Sequence, residues 1–394
     1  MDKVAMIERD SFWGARTGEP VVTYNWFISG LGEVNISFGV CPSSGLVMQT
    51  KTVAPDEMIK YYAHTATYVS PERNGEPTQA KVKDLTRLLS LIELSSEKFP
   101  QKILQFGCSD GYTLYRFLEK GAKQVTGIEP SIVSRNYSAE KYGISVIPST
   151  IEEYQSDDKF DLIVATHILE HLYTPDIVLK NIKKNLSNDG LLLIEVPLWE
   201  REDLQPLGVL SFEHLNYFCE DTLSRILQES GYDIIHISKN YNINHYPVIT
   251  IIAKVGVNKK QVYDTDVDVI KEKNKKLLTS YLKREHVFWK EKEKNIISQS
   301  NIFVPTYIYG GGIHTSQLLS MTNIVGKLTI TAIFDGSITK QGKHIFDINI
   351  LPPEIIKKIP SGSNIIISSK VFELEIEKRI FSYRNDVNII KIYN

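Results

Sequence analysis

Apolar residues along this chain keep two alternating rhythms between residues 79 and 255. Short apolar runs at Ile103–Phe106, Gln124–Ile128, Ser145–Pro148, Phe160–Thr166 and Leu191–Pro197 read as buried parallel strands, the last stopped by its proline. Asn188-Asp189-Gly190 reads as a turn before the last of them. Between the runs the spacing turns helical, as in Tyr112–Lys120, and upstream Val82, Leu85, Leu88, Leu89 and Ile92 predict an amphipathic helix over 79–98. Downstream, Glu220–Ser230 predicts a helix, Gly231 a turn, and Tyr232–Ile237 with Pro247–Val255 an antiparallel hairpin at the sheet edge. Strand alternating with helix predicts a doubly wound α/β sheet.

The flanks differ from this centre. Residues 1–78 hold short alternating runs such as Val34–Val40, which predict a small β-rich module. Residues 257–300 are charge-rich. Their apolar positions Val269, Leu277, Leu278, Tyr281, Leu282 and Trp289 predict a long, mostly solvated connecting helix, and interleaved acids argue against a basic binding face. From residue 301 to 394 a second α/β unit follows, with strand Ile302–Tyr309, turn Gly310–Gly312, helix Ile313–Met321 and strand Leu328–Phe334 ending at Asp335. Strand Asn364–Ser368, helix Val371–Ser382 and strand Val387–Tyr393 complete it. The expected domains are therefore 1–78, 79–256, the connecting helix 257–300, and 301–394. At ~150 residues per domain, 394 residues accommodate that division.

Composition narrows the class. With 42% hydrophobic and 23% charged residues the chain reads as a soluble globular protein. Its net charge of −2 predicts no bulk attraction to nucleic acid or anionic membrane. No apolar stretch of ~18 residues predicts a membrane span, and MDKVAMIERD does not read as a signal peptide. Cys41, Cys108 and Cys219 are few and far apart, which fits free thiols and a cytoplasmic location.

The chemistry concentrates in residues 103–131. A strand runs into Gly107-Cys108-Ser109-Asp110-Gly111, a helix follows, and a second strand ends at Glu129. Glycines let the backbone turn sharply beside a ligand, and a carboxylate at the second strand's end can accept both hydroxyls of a ribose. A dinucleotide would need G-x-G-x-x-G and room for pyrophosphate at the helix start. Asp110 puts an anion there instead. S-adenosylmethionine, with its ammonium and sulfonium, suits an acidic turn.

The stretch resembles the first motif of class I S-adenosylmethionine-dependent methyltransferases, and His167-Ile168-Leu169-Glu170-His171-Leu172 resembles the LEH signature after their fourth strand. The cofactor contacts this implies are Phe106, Gly107, Cys108, Ser109, Asp110, Gly111 and Tyr112 at the turn. Glu129 and Pro130 follow at the next strand, Ser149, Thr150 and Ile151 around adenine, and Thr166 with the His167 backbone.

Over nearly its full length the chain resembles the sugar C-methyltransferases of branched deoxysugar biosynthesis, which act on nucleotide-linked keto sugars. Phe212–Phe218 resembles their YHEHLxYF segment. Tyr309–Gly312 with Ile333–Gly342 resembles the glycine turn and acidic segment of their C-terminal Rossmann-like domain. Val40–Val47 resembles the end of their N-terminal zinc ribbon. Here the ribbon keeps one cysteine, Cys41-x-x-Ser44, so zinc is not expected and no metal ligand is assigned. Gln105 replaces the usual acid of the first strand, and Ser211-Phe212-Glu213-His214 keeps only part of YHEH.

The resemblance implies His214 as base with Glu213 beside it, and roles for His171 and Tyr62, with Tyr61 or Tyr68 as alternatives to Tyr62. Tyr217, Glu195, Gly311 and Asp335 are the implied substrate contacts. The expected function is S-adenosylmethionine-dependent C-methylation beside the keto group of a nucleotide-linked sugar, in carbohydrate biosynthesis. An O-methyltransferase of a sugar or surface glycan, and a non-catalytic binding protein of this fold, remain open.

Overall fold

The computed structural model describes residues 4–14, 20–28, 30–64, 77–241, 246–256, 266–338, 340–369 and 372–393. The chain divides into two compact units. One comprises residues 7–22 and 37–279, the other 1–6, 23–36 and 280–394.

The larger unit carries strands β1 (Met6–Glu8, from its second residue) and β4 (Val47–Val53), and the end of β3 (Gly32–Val40). The start of β3 and most of β2 (Val22–Ile28) count with the smaller unit. Helix α1 (Pro55–His64) follows β4, and α2 (Gln79–Ser95) leads into the central sheet, capped by the Thr78 hydroxyl on Lys81 N–H. Then come β5 (Lys102–Phe106), α3 (Tyr112–Glu119), β6 (Gln124–Ile128), α4 (Ile132–Tyr142), β7 (Val146–Ile147), β8 (Phe160–Thr166), α5 (Pro175–Ile182), β9 (Leu186–Pro197), β10 (Asn216–Tyr217), α6 (Glu220–Glu229), β11 (Tyr232–Asn240) and β12 (Val248–Val255).

Seven strands form one sheet in the order β11-β12-β9-β8-β5-β6-β7. β5 pairs in parallel with β6 and β8, and β9 in parallel with β8. β12 runs antiparallel to β9 and β11, so the last two strands are the expected hairpin. Alternate residues serve opposite faces. Leu162, Val164, Leu191 and Leu193 pack with Leu85, Leu88, Leu89 and Ile92 of α2, while Ile163, Ala165, Leu192 and Ile194 pack with Val178 and Leu179 of α5 and Leu223 and Ile226 of α6. A sheet covered on both faces needs continuous apolar strands, and that is why these runs were so legible.

One turn signal misleads. Asn188-Asp189-Gly190 lies inside β9, not before it. β9 takes five steps, Leu186 to Leu191, while β8 takes two, Phe160 to Leu162. The extra residues form a bulge, and a Cβ on Gly190 would meet the Phe160 carbonyl at 2.8 Å.

Helix α7 (Val267–Gln299) is less solvated than its charge suggests. Ile270, Asn274, Leu278, Tyr281, Glu285, Trp289 and Ile296 form a buried stripe at helical spacing. Two stripe positions are polar and hid the pattern. The Asn274 amide donates to the Gly45 carbonyl (2.8 Å), and Glu285 accepts from the Tyr24 and Tyr281 hydroxyls.

The smaller unit continues with β13 (Thr306–Tyr309), α8 (Ile313–Met321), β14 (Ile330–Phe334), β15 (His344–Ile345), β16 (Ile348–Leu351), β17 (Asn364–Ile367), α9 (Glu373–Tyr383) and β18 (Asn388–Lys391). Its sheet order is β15-β16-β14-β13-β17-β18, all parallel except β15. The short β15–β16 hairpin had no expectation in the sequence. No helix among the described residues is long and apolar enough to cross a membrane.

Candidate active site

The turn after β5 is built on left-handed backbone. Gly107 (φ +63°), Ser109 (φ +48°) and Gly111 (φ +79°) alternate with ordinary residues, and Gly111 caps α3. A Cβ at Gly107 would lie 2.3 Å from Ile168 Cδ1, and one at Gly111 would lie 2.1 Å from Ser138 Oγ. Both glycines are therefore required by close approach as well as by φ. The turn is pinned to β6, because Gly107 N–H and Cys108 N–H both donate to the Ile128 carbonyl (2.9 and 3.2 Å).

Glu129 stands at the end of β6, half-buried against this turn. Its carboxylate accepts from Ser109 N–H (3.0 Å) and Ser131 N–H (2.9 Å). Burial raises its pKa above the ordinary value, against the pull of these two amides and of Arg135. Carboxylate and glycine turn thus share the carboxyl ends of adjacent parallel strands, where ligands bind in open α/β sheets. Asp110 is paired: Lys81 Nζ lies 2.7 Å from both oxygens, and Tyr112 N–H donates to one (3.1 Å). Lys81 carried no signal in the sequence, being one of many cations on an amphipathic helix.

Several expected cofactor residues turn their side chains elsewhere. Phe106 is in the core beside Tyr154, so only its backbone borders the turn. Cys108 packs with Leu114 and Ile144, and burial pushes its thiol pKa well up, with Glu129 adding. Tyr112 is buried, and its hydroxyl accepts from Arg116. Pro130 offers its carbonyl to Arg135 (2.5 Å). Ser149 borders a cavity of about 500 Å³ with Ile147 and Pro148; Thr150 follows it, and Ile151 belongs to the core.

At the end of β8, half-buried Thr166 is followed by His167 in left-handed backbone (φ +56°), its N–H donating to the Glu195 carbonyl (2.8 Å). A non-glycine residue at positive φ is uncommon and concentrates at functional sites. Glu195 lies buried beneath, its carboxylate accepting from Arg87 and the Thr250 hydroxyl (2.5 Å each). His167 Nδ1 lies 3.3 Å from Glu170 Oε1. Burial lowers the His167 pKa, but Glu170, then Glu195 and Asp84, outweigh it and the net shift is upward.

A histidine cluster adjoins this point. Glu170 and His171 sit on the 3-10 turn Leu169–His171, not on the first turn of a helix; α5 begins only at Pro175. Glu213 and His214 lie in the loop before β10, so they are not bound to opposite faces of a strand. His171 Nδ1 approaches the Glu213 carbonyl (2.9 Å) and the Tyr62 hydroxyl (3.3 Å), and its ring stands 4.9 Å from that of His214. Burial, then His171, lowers the His214 pKa to about 3, so its imidazole is neutral. Glu170 is 1% exposed. Burial raises its pKa, and His167, His171 and His214 outweigh that and lower it.

Tyr61 is buried edge-on to Phe212 (5.3 Å), and Tyr68 lies outside the described residues. Tyr217 is also buried; its hydroxyl accepts from Ser211 N–H (2.9 Å) and donates to the Val209 carbonyl (3.4 Å), bracing the His214 loop. Cys41 lies in the core of the larger unit, its thiol donating to the Ser11 hydroxyl (3.0 Å). In the smaller unit Asp335 accepts from Gly311 N–H (2.7 Å) and Ser337 N–H (2.8 Å), and Lys340 Nζ is 3.2 Å away.

Residues 76–237 match the family described as "Methyltransferase domain". The tRNA U34 carboxymethyltransferase of Shewanella sp. (strain ANA-3) is 32% identical over 100 residues, covering 24% of this chain and 30% of that protein. The (S)-coclaurine N-methyltransferase of Papaver somniferum is 28% identical over 127 residues, covering 30% and 36%. The chain thus spans about a third of the length of the curated relatives it matches. The solved 1,6-didemethyltoxoflavin-N1-methyltransferase of Burkholderia thailandensis, with bound S-adenosylhomocysteine, is similar at TM-score 0.43 and 16% identity, covering 56% of this chain and 95% of that one. The family match, together with the strand order and the carboxylate-edged glycine turn, makes residues 76–237 a class I S-adenosylmethionine-dependent methyltransferase domain.

Proposed function

We propose that the chain methylates a nucleotide-linked sugar at a carbon beside a keto group. S-adenosylmethionine, when bound, supplies an electrophilic methyl on sulfonium. The chain's residues fit that cofactor: the Glu129 carboxylate can take ribose hydroxyls, and the Asp110–Lys81 pair offers both charges to a zwitterionic amino-acid tail.

The acceptor reading rests on one observation. Tyr62, His171 and the Glu213–His214 loop, far apart in sequence, meet beside the end of β8. Removing a proton next to a carbonyl needs a base and a group that steadies the oxygen, and this cluster supplies imidazoles, a carboxylate and a hydroxyl. The resemblance of 211–218 and of the C-terminal unit to sugar C-methyltransferases supports the same acceptor. The tRNA and coclaurine enzymes match over 100 and 127 residues and carry no acceptor identity to this chain.

One feature favours an oxygen acceptor instead. Phe212 brings no imidazole where the resembling segment has its first histidine, Ser211 stands where it has tyrosine, and Phe212 is buried against Tyr61. A hydroxyl acceptor needs only one base. Incubating nucleotide-linked keto sugars with the protein in deuterated water, without cofactor, separates the two. Deuterium at the carbon beside the keto group, read by NMR, supports carbon chemistry; no exchange with retained methyl transfer supports oxygen. His214→Ala is expected to keep S-adenosylhomocysteine binding by calorimetry and lose at least ~100-fold in turnover. A near-normal rate removes His214 from the reaction. A wild-type protein without calorimetric cofactor binding would leave only a binding protein.

A further inference from the structure

Glu170, His171 and His214 each offer one ligand atom, and these three atoms lie within 4.8 Å of one another. The geometry points to a site for one first-row divalent transition-metal ion, held by the Glu170 carboxylate and the His171 and His214 imidazoles.

The carboxylate gives the first reason. Glu170 is almost fully buried; its one close partner is His167, on Oε1, and Oε2 has no hydrogen-bond partner among the described residues. Its neighbours are His167 Nδ1 at 3.3 Å and His171 Nε2 at 3.9 Å from Oε1. Buried charges are kept only where they are paired or coordinate a metal. The His171 tautomer gives the second. The Glu213 carbonyl can only accept, so His171 Nδ1 donates to it and Nε2 is the nitrogen left for a ligand. Nε2 faces Glu170 Oε1 at 3.9 Å, beyond hydrogen-bond reach, so both atoms can turn to one cation. Metal-bound histidines usually donate their other N–H to a carbonyl or carboxylate in this way.

The third reason is rigidity. Leu215 N–H donates to the Glu170 carbonyl (2.7 Å), and the Asn216 amide donates to the Leu172 and Leu169 carbonyls (2.8 and 3.2 Å). The His214 loop is thereby fastened to the turn carrying the other two ligands, which is how donor sets are held in register. Among the described residues no hydrogen bond reaches either ring nitrogen of His214.

Two imidazoles and a carboxylate favour zinc, iron(II), manganese or cobalt over the all-oxygen cages of calcium and magnesium. Three protein ligands leave coordination positions open. If the proposed function holds, those positions take an oxygen of the acceptor and polarise it. Metal binding itself does not depend on that reading. The site is distinct from the Cys41 module, to which the sequence assigned no metal.

The test uses the full chain, stripped with a chelator, dialysed and titrated with cobalt(II) while visible absorption is followed. One equivalent per chain, with ligand-field bands, is expected. Glu170→Gln and His214→Ala should each weaken cobalt affinity more than about tenfold while leaving the thermal melt in place, and Cys41→Ser should titrate like wild type. No uptake by wild type at millimolar cobalt, or wild-type affinity in Glu170→Gln or in His214→Ala, overturns the site. Cobalt uptake without calorimetric binding of S-adenosylhomocysteine would sink the methyltransferase reading and leave the metal site standing.

Discussion

Two regions of this chain share one grammar: a strand, a glycine turn, a helix, and a second strand ending in an acid. In the larger unit these are β5, Gly107–Gly111, α3 and β6 with Glu129. In the smaller unit they are β13, Gly310–Gly312, α8 and β14 with Asp335. The acids differ in what they are left to do. Glu129 accepts two backbone amides and stays half-buried at the turn. Asp335 is 9% exposed, accepts two amides, and has Lys340 beside it; the Gln341 amide ties the same loop to the Asp335 carbonyl (3.0 Å). One acid stays half-exposed at the carboxyl edge of the sheet and the other closes a loop. The pattern specifies the turn, and the residues after the acid decide its use.

The largest expected difference is steric. Gly111→Ala places a Cβ on left-handed backbone, 2.1 Å from Ser138 Oγ and 2.8 Å from Ser138 Cβ. It should cost at least ~2 kcal/mol and lower the melting of the larger unit. Gly312→Ala, at φ −117° with nothing within 4 Å of the new Cβ, should cost a few tenths of a kcal/mol. Differential scanning calorimetry of the full chain reads both. Equal melting shifts would mean that the two turns are not built differently.

The second difference concerns ligand binding. Glu129→Ala should weaken S-adenosylhomocysteine more than about tenfold, since hydrogen bonds to a charged group contribute ~1.5–3 kcal/mol. Asp335→Ala should change that affinity less than about twofold and lower thermal stability instead, because Gly311 N–H, Ser337 N–H and Lys340 lose their acceptor. Calorimetric titration of both variants decides. An Asp335→Ala protein that loses cofactor affinity as Glu129→Ala does would break the contrast.

The central sheet was legible because both its faces are covered, which turns strands such as Phe160–Thr166 and Gln124–Ile128 into unbroken apolar or bounded runs. Glu129 was legible because its position follows from strand and turn alone. What failed depends on contacts distant in sequence. The β9 bulge at Asn188–Gly190 looks like a turn until β8 is set beside it. Asn274 and Glu285 break the apolar stripe of α7 because their partners, Gly45 and Tyr24, are more than two hundred residues away. Residues 1–78 read as one module by character, yet their strands divide between the two units. Glu170 stood in plain view inside the LEH signature, but only the fold brings His214 beside it and buries its carboxylate. Asp110 read as an anion awaiting a cofactor; Lys81, on a helix 29 residues upstream, already pairs with it.

The smallest expected effect is a pH dependence that belongs to one acid. Burial raises the Glu129 pKa above its ordinary 4.5, with the Ser131 and Ser109 amides and Arg135 opposing. The ionised carboxylate accepts hydroxyl protons; protonation removes an acceptor and adds a donor. Cofactor affinity should therefore be full near pH 7 and fall as the pH is lowered through that raised pKa, beginning sooner than for an ordinary glutamate. A severalfold loss on going to mildly acidic buffer is expected of wild type. Glu129→Gln should start weaker at neutral pH and stay flat over the same interval, while Asp335→Asn should keep the wild-type slope. Calorimetry of S-adenosylhomocysteine binding at matched ionic strength measures all three. An acid slope retained in Glu129→Gln would assign the titration to another group and take Glu129 out of the electrostatics of cofactor binding.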